Sequence, residues 1–257
     1  HSIRRRQRQM CIRDRGGKSA NIVFDDADFE RAIDGSLVNI FSNSGQICIA
    51  GSRILVQRGI SERFIAAFVA RTQSLKVGNP LDPTVEVGPM AFKGHWERVL
   101  DHIARGKNDG AILLCGGEAP TDLGSGYFVT PTVFQVHNNQ LPLCQEEVFG
   151  PVVSIQIFDE DEEAISLAND SRFGLVGYCW TNDLTRAQLF QQRIEAGTLW
   201  INTPLARDLR APFGGFKESG IGRDGPRQAA EFFTEEKATI TAYGDTPIRK
   251  LGSLEAP

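Results

Sequence analysis

Apolar positions along this chain recur with two periods, and stretches of the two kinds alternate. Asn21 to Phe24 is a short apolar run closed by Asp25 and Asp26, as a buried strand would be. Asp28 then stands where a helix N-cap belongs, ahead of Phe29, Ile33, Leu37, Ile40 and Phe41 at helical spacing. A polar stretch, Ser42 to Gly45, ends that helix. Arg53 to Gln57 predicts a strand, and Ser61 is placed to cap a second amphipathic helix carrying Phe64, Ile65, Phe68 and Val69. Trp96 to Ile103 predicts a third helix. Ala111 to Cys115, Val152 to Phe158, Gly177 to Trp180 and Gly197 to Asn202 predict strands, with helices over Asp161 to Asn169 and Leu184 to Ile194 between them.

Alternation of this kind favours an α/β fold, an open, mostly parallel sheet with helices on both faces. Functional groups in such sheets are expected at the carboxyl ends of the strands. The glycine-rich stretch Phe213 to Gly225 precedes a short predicted helix and then Lys237 to Tyr243, a solitary β-prone run. No later element covers that run, so it is expected to pair with another chain or a distant sheet, as a C-terminal oligomerisation strand.

Composition narrows the class. The chain has 257 residues, 41% of them apolar, enough for one large domain or two small ones with a buried core. No apolar run approaches the ~18 to 20 residues that span a bilayer, and the start lacks the apolar region of a secretion signal, so a cytoplasmic protein is expected. Five cysteines, Cys11, Cys48, Cys115, Cys144 and Cys179, are odd in number and widely spread, which indicates neither a disulfide framework nor a zinc site. The net charge of −4 hides an asymmetry: Arg4, Arg5, Arg6, Arg8, Arg13 and Arg15 crowd the start, and the remainder carries 22 basic against 31 acidic residues. Such a cluster can be a nucleic-acid arm. With no basic face elsewhere, the stretch Gln9 to Arg15 reads better as translated junction sequence, with the fold beginning near Gly16.

Cys48 is flanked by Gly45 and Gly51 between a predicted helix and a predicted strand, where a loop can present a thiol. Taken alone, a loop cysteine is more often structural. Two other readings remain open: a cysteine hydrolase pairing Cys48 with His95 or His137, and a non-catalytic module whose terminal strand only mediates assembly. The four histidines show no ligand spacing and are expected to be solvated. Gly220 to Gly225 satisfies GxGxxG, yet it follows Lys217-Glu218-Ser219 and no strand, so it is not expected to hold a pyrophosphate.

Four blocks in order resemble the aldehyde dehydrogenase superfamily: Gly16-Gly17-Lys18-Ser19-Ala20-Asn21-Ile22-Val23, Gly45-Gln46-x-Cys48-x-Ala50, Glu146-Glu147-Val148-Phe149-Gly150-Pro151-Val152, and Pro212-Phe213-Gly214-Gly215-Phe216-Lys217-x-Ser219-Gly220. The resemblance implies that Cys48 attacks an aldehyde, that NAD (NADP not excluded) accepts the hydride, and that water hydrolyses the thioester. It assigns oxyanion stabilisation to the Cys48 backbone N–H and an asparagine upstream of this chain. It places Gly16 against the nicotinamide, Glu147 and Phe149 on its ribose, and Phe213 in the wall of the aldehyde pocket. The family's general base is a glutamate two positions before the paired glycines. Here that position holds Asp14, whose arm is a methylene shorter, and Arg15 replaces the usual apolar residue.

Three parts follow from the resemblance: 1–15 a non-native segment, 16–231 a catalytic domain lacking most of its NAD-binding partner, and 232–257 a C-terminal arm. A homo-oligomer is implied for the full-length protein, with no nucleic-acid or membrane partner. Within the superfamily, Asn202 to Phe213 and Gly244 to Lys250 resemble the 5-carboxymethyl-2-hydroxymuconate semialdehyde dehydrogenases of aromatic catabolism. That likeness makes Arg207 and Arg210 candidates for binding the carboxylate of a semialdehyde, with Asp208 available to neutralise one of them.

Overall fold

The computed structural model describes residues 15–248 and 251–252. Strand β1 (Ala20–Val23) leads to helix α1 (Phe29–Phe41), a 3-10 turn (Ser42–Gly45), β2 (Arg53–Gln57) and α2 (Arg58–Gln73). Then come α3 (Lys93–Asn108), β3 (Ile112–Cys115), β4 (Thr132–Val136), the single turn α4 (Pro142–Gln145), β5 (Val152–Phe158) and α5 (Asp161–Asn169). The chain closes with β6 (Phe173–Gly174), β7 (Val176–Trp180), α6 (Leu184–Arg193), β8 (Thr198–Ile201), β9 (Phe216–Lys217) and α7 (Pro226–Phe233). Seven strands form one sheet in the order β3-β4-β5-β2-β1-β7-β8, parallel except for β3, while β6 and β9 make a separate antiparallel pair.

The strands sort their side chains by alternation. Ile54 and Val56 of β2 face one side and pack with Ile33, Leu37 and Ile40 of α1 and with Phe64 and Phe68 of α2. Leu55 faces the other and packs with Ile22, Phe158, Ala164 and Ile165, and with Phe190 of α6. Helices therefore cover both faces, as the alternation of elements implied. Asp28 caps α1 by accepting from Arg31 N–H at 3.3 Å, and Asp183 caps α6 through Thr185 and Arg186 N–H.

Two elements depart from expectation. Ser61 does not cap α2, which begins at Arg58; its buried hydroxyl donates instead to the Arg58 carbonyl one turn back. Strand β4 was not anticipated; its β-branched run lies just behind Pro131 and is buried between β3 and β5. Lys237 to Tyr243 forms no ladder among the described residues, and Ile240 and Tyr243 are 97% and 98% exposed.

Candidate active site

Every block singled out in the sequence converges on one end of the sheet, and it is the amino end. Gly16 and Gly17 precede β1, Cys48 precedes β2, Glu147 and Phe149 precede β5, and Phe173 leads into β7. The expected location at the carboxyl ends is thus overturned. Those ends of β1 and β7 are sealed by Asp26, which accepts from the Thr181 hydroxyl at 2.8 Å, from Asn182 N–H at 2.9 Å and from Arg186 at 3.1 Å.

The Cys48 loop is shaped by three successive left-handed residues, Asn43 (φ 51°), Ser44 (φ 58°) and Gly45 (φ 70°). A Cβ at Gly45 would lie 2.1 Å from the Gly150 carbonyl, so only glycine lets this turn meet the loop before β5. The Gln46 carboxamide accepts from Ala91 N–H at 2.9 Å, and Ala50 N–H closes a turn around Cys48 on the Ile47 carbonyl at 3.0 Å. Buried Tyr178 donates its hydroxyl to the Ile49 carbonyl at 2.8 Å. Gly17 packs so tightly against the loop that its missing Cβ would sit 2.2 Å from the Cys48 carbonyl oxygen.

Cys48 is half-buried, whereas Cys115, Cys144 and Cys179 are only 8%, 0% and 0% exposed. It is therefore the most accessible of the described thiols. Burial pushes its pKa up, and the charge of Glu147 adds to the rise; backbone N–H groups of Cys48 and Ile49 and the charge of Arg15 oppose it. The thiol is consequently held protonated at neutral pH.

Glu147 is the second fixed group. Gly17 N–H donates to its Oε1 at 3.0 Å, and burial raises the carboxyl above its usual range while that hydrogen bond, Lys18 and Arg172 pull it back. A Cβ on Gly16 would come 2.9 Å from the Phe173 ring and 3.2 Å from Glu147 Oε2. The bareness of Gly16 is thus already required by neighbours within this chain. Ser219, 1% exposed, ties the same corner together by donating to the Gly16 carbonyl and accepting from Gly174 N–H. Phe149 takes a left-handed backbone (φ 56°), is 39% exposed, and lines a cavity of about 430 Å³ with Glu147, Gln46, Phe92, His95 and Arg98.

His95 is buried and not solvated as expected: its Nε2 lies 2.7 Å from the Phe149 carbonyl and holds that strained loop. His102 is partly buried beside Arg105, and His137 is exposed. No histidine is hydrogen-bonded to Cys48 among the described residues, so the Cys–His arrangement of a hydrolase is not formed. Asp14, at the family's glutamate position, lies outside the described residues.

Phe213 stands with Cys48, Ile49, Trp200 and Leu205 on Leu175, Val176 and Tyr178. Two guanidinium groups lie over its ring, Arg15 at 5.6 Å and Arg207 at 5.7 Å from the centroid. Arg15 also pairs with Asp224. Arg210 makes a two-pronged pair with exposed Asp208, at 3.0 Å from Nε and 2.7 Å from Nη2, so its charge is already matched. Arg207 has no carboxylate partner among the described residues. Of the groups that shape this corner, Phe173, Tyr178 and Trp200 were not singled out in the sequence.

The family model described as "Aldehyde dehydrogenase family" matches residues 4–239. Betaine aldehyde dehydrogenase from Mesorhizobium japonicum is 45% identical over 232 residues, covering 90% of this chain and 48% of that protein. HpcC from Thermus thermophilus superposes with a TM-score of 0.84 at 41% identity, over 90% of this chain and 47% of its own. Betaine aldehyde dehydrogenase from Staphylococcus aureus, solved in complex with NAD+, gives a TM-score of 0.82 at 41% identity over 84% and 44% of the two chains. The chain spans about half the length of the curated relatives it matches. With its four motif blocks gathered around Cys48 and the family model matched across most of its length, the chain belongs to the aldehyde dehydrogenase family.

Proposed function

We propose that this chain is the thiol-bearing half of an NAD-dependent enzyme that oxidises an aldehyde carrying a carboxylate to the corresponding acid. The observation that carries the reading is the placement of an accessible thiol, Cys48, and a carboxylate, Glu147, on the same Gly16–Gly17 backbone, with Arg207, which has no carboxylate partner among the described residues, over the neighbouring Phe213 ring. Two solved relatives support the cofactor, a betaine aldehyde dehydrogenase and an indole-3-acetaldehyde dehydrogenase, both in complex with NAD+. The residues fit a nicotinamide ribose: Glu147 keeps Oε2 free of the Gly17 hydrogen bond and shares a roomy cavity with the exposed Phe149 ring.

Sulfur suits the task, because a thiolate is nucleophilic near neutral pH and its thioester stays reactive to water. The Cys48 thiol gives up its proton to solvent water, and its sulfur bonds to the carbonyl carbon, the π pair moving to oxygen. The Cys48 backbone N–H donates to that oxyanion. The carbon then loses a hydride, for which a nicotinamide held by Glu147 and Phe149 would be the acceptor, and a thioester remains on Cys48. Water then adds, the C–S bond breaks, and the acid departs with the thiol restored. Throughout, the Arg207 fork grips the substrate's carboxylate through charge-assisted hydrogen bonds.

Spanning about half of its relatives, the chain alone is proposed to be inactive, and assembly through the exposed 237–243 run is proposed for the full-length protein. The test is NADH formation by a full-length enzyme carrying this chain, assayed with a carboxylated semialdehyde and with benzaldehyde. Arg207→Met should raise KM for the carboxylated substrate ~10-fold or more, a charged hydrogen bond being worth ~1.5 to 3 kcal/mol, and leave benzaldehyde little affected. Equal loss on both substrates contradicts the acidic-substrate reading; NAD turnover by the chain alone at a full-length rate contradicts the proposed inactivity.

A further inference from the structure

Arg207 lies on a loop that packs through Leu205 but is held by few hydrogen bonds. The loop leaves β8 at Asn202, which is firmly anchored: its N–H donates to the Cys179 carbonyl at 2.9 Å, and its carboxamide exchanges hydrogen bonds with the Thr181 backbone at 3.0 and 2.7 Å. Asn202 and Leu205 both take left-handed backbones (φ 54° each), so the chain turns sharply twice within four residues. Between Asn202 and Asp208, one hydrogen bond is made among the described residues. The Trp200 indole N–H donates to the Ala206 carbonyl at 2.6 Å, immediately before Arg207.

Trp200 is itself fixed by register. Parallel pairing of β7 with β8 sets it opposite Tyr178, and the two rings stack with centroids 5.1 Å apart and planes 10° from parallel. Tyr178 reaches the other way and donates to Ile49, the residue after Cys48. One stacked pair thus grips both loops of the site, the thiol loop through a phenol and the arginine loop through an indole.

We propose that Trp200 is a specificity-positioning residue: by holding Ala206 it keeps Arg207 over Phe213, whose ring shares an apolar cluster with Cys48, and so gives this site its preference for electrophiles that carry a negative charge. The proposal deepens the acidic-substrate reading and rests on it. Loss of the indole N–H frees the segment from residue 203 to 206 to relax its left-handed turn at Leu205, and the guanidinium leaves the Phe213 ring for open solvent, where its charge is screened.

The experiment needs neither NAD nor a second half. The purified chain is alkylated at low salt with iodoacetate, an anion, and with iodoacetamide, its neutral counterpart, and the two second-order rates at Cys48 are read by mass spectrometry. Arg15 and Glu147 are present in every variant and act alike on each, so the ratio of the two rates reports Arg207. In Arg207→Met the iodoacetate-to-iodoacetamide ratio should fall roughly threefold to tenfold, the scale of one nearby charge in a half-wet site. Trp200→Phe, which keeps a ring on Tyr178 but lacks the N–H, should lose a comparable factor; Trp200→Tyr provides the same comparison should the first variant fail to fold. Tyr178→Phe should change both rates together and keep the ratio. If Arg207→Met loses the preference while both Trp200 variants keep it, the Trp200 proposal is overturned and the acidic-substrate reading survives. An unchanged ratio in Arg207→Met sinks both.

Discussion

Gly17→Ala is the most incisive perturbation of this site, because its effect follows from steric contact alone. Gly17 has no left-handed backbone, so alanine is conformationally acceptable there. The added methyl, however, would lie 2.2 Å from the Cys48 carbonyl oxygen, with the carbonyl carbon at 3.4 Å. Relief to an ordinary contact requires a displacement of roughly 1 Å, and the neighbour is backbone that cannot rotate away. The Cys48 loop resists such movement, being held by the Ala50–Ile47 turn, by Tyr178 on Ile49 and by Gln46 on Ala91. Overpacking of this kind costs about 1 to 3 kcal/mol, which for a domain of this size lowers Tm by about 2 to 12 °C. The Gly17 N–H also shifts relative to Glu147, loosening the second fixed group. Thermal melting gives the stability change, and the rate of Cys48 alkylation gives the local one. Stability within about 0.5 kcal/mol of wild type together with an unchanged alkylation rate would refute the packing of Gly17 on Cys48.

Glu147→Gln removes the negative charge that adds to the rise in the Cys48 pKa, so the pH profile of Cys48 alkylation should move to lower pH and the rate at neutral pH should increase; a profile shifted upward, or unmoved, contradicts the coupling. Arg53 is 2% exposed and donates to the Lys18, Leu167 and Ala168 carbonyls and to the Asn139 carboxamide, so Arg53→Met should destabilise the fold by roughly 3 to 5 kcal/mol in urea titration, since buried acceptors are left without donors. In the full-length enzyme, Arg210→Met should alter KM for a carboxylated semialdehyde by less than about twofold, because exposed Asp208 already occupies that guanidinium and such pairs contribute little.

Local elements were legible wherever a cap and a period coincided. Asp28 ahead of the Phe29–Phe41 stripe marked α1 end to end, and the apolar run Val152–Phe158 marked β5. The start of α2 was not legible, because Gln57 caps it with no side-chain hydrogen bond and Ser61 offered a false signal inside the first turn. Short β6 and β9, two residues each, carry no period at all. The motif residues Cys48, Glu147 and Phe213 were readable as a set, but not their gathering at the amino ends, because that depends on the strand order β3-β4-β5-β2-β1-β7-β8. Local pattern does not encode that order. For the same reason the Tyr178–Trp200 pair was invisible: it exists only through the register of β7 on β8. His95 looked like a surface histidine, yet its partner is a backbone carbonyl 54 residues away.

The central claim is that Cys48 is the reactive thiol of this chain, and site-resolved mass spectrometry tests it directly. The purified chain is treated with limiting iodoacetamide, digested, and the modified fraction followed at each described cysteine. Cys48, the half-buried thiol in its glycine-built loop, should be modified well ahead of Cys115, Cys144 and Cys179, which the core encloses. Equal labelling of the four, or modification of a buried cysteine before Cys48, would contradict it.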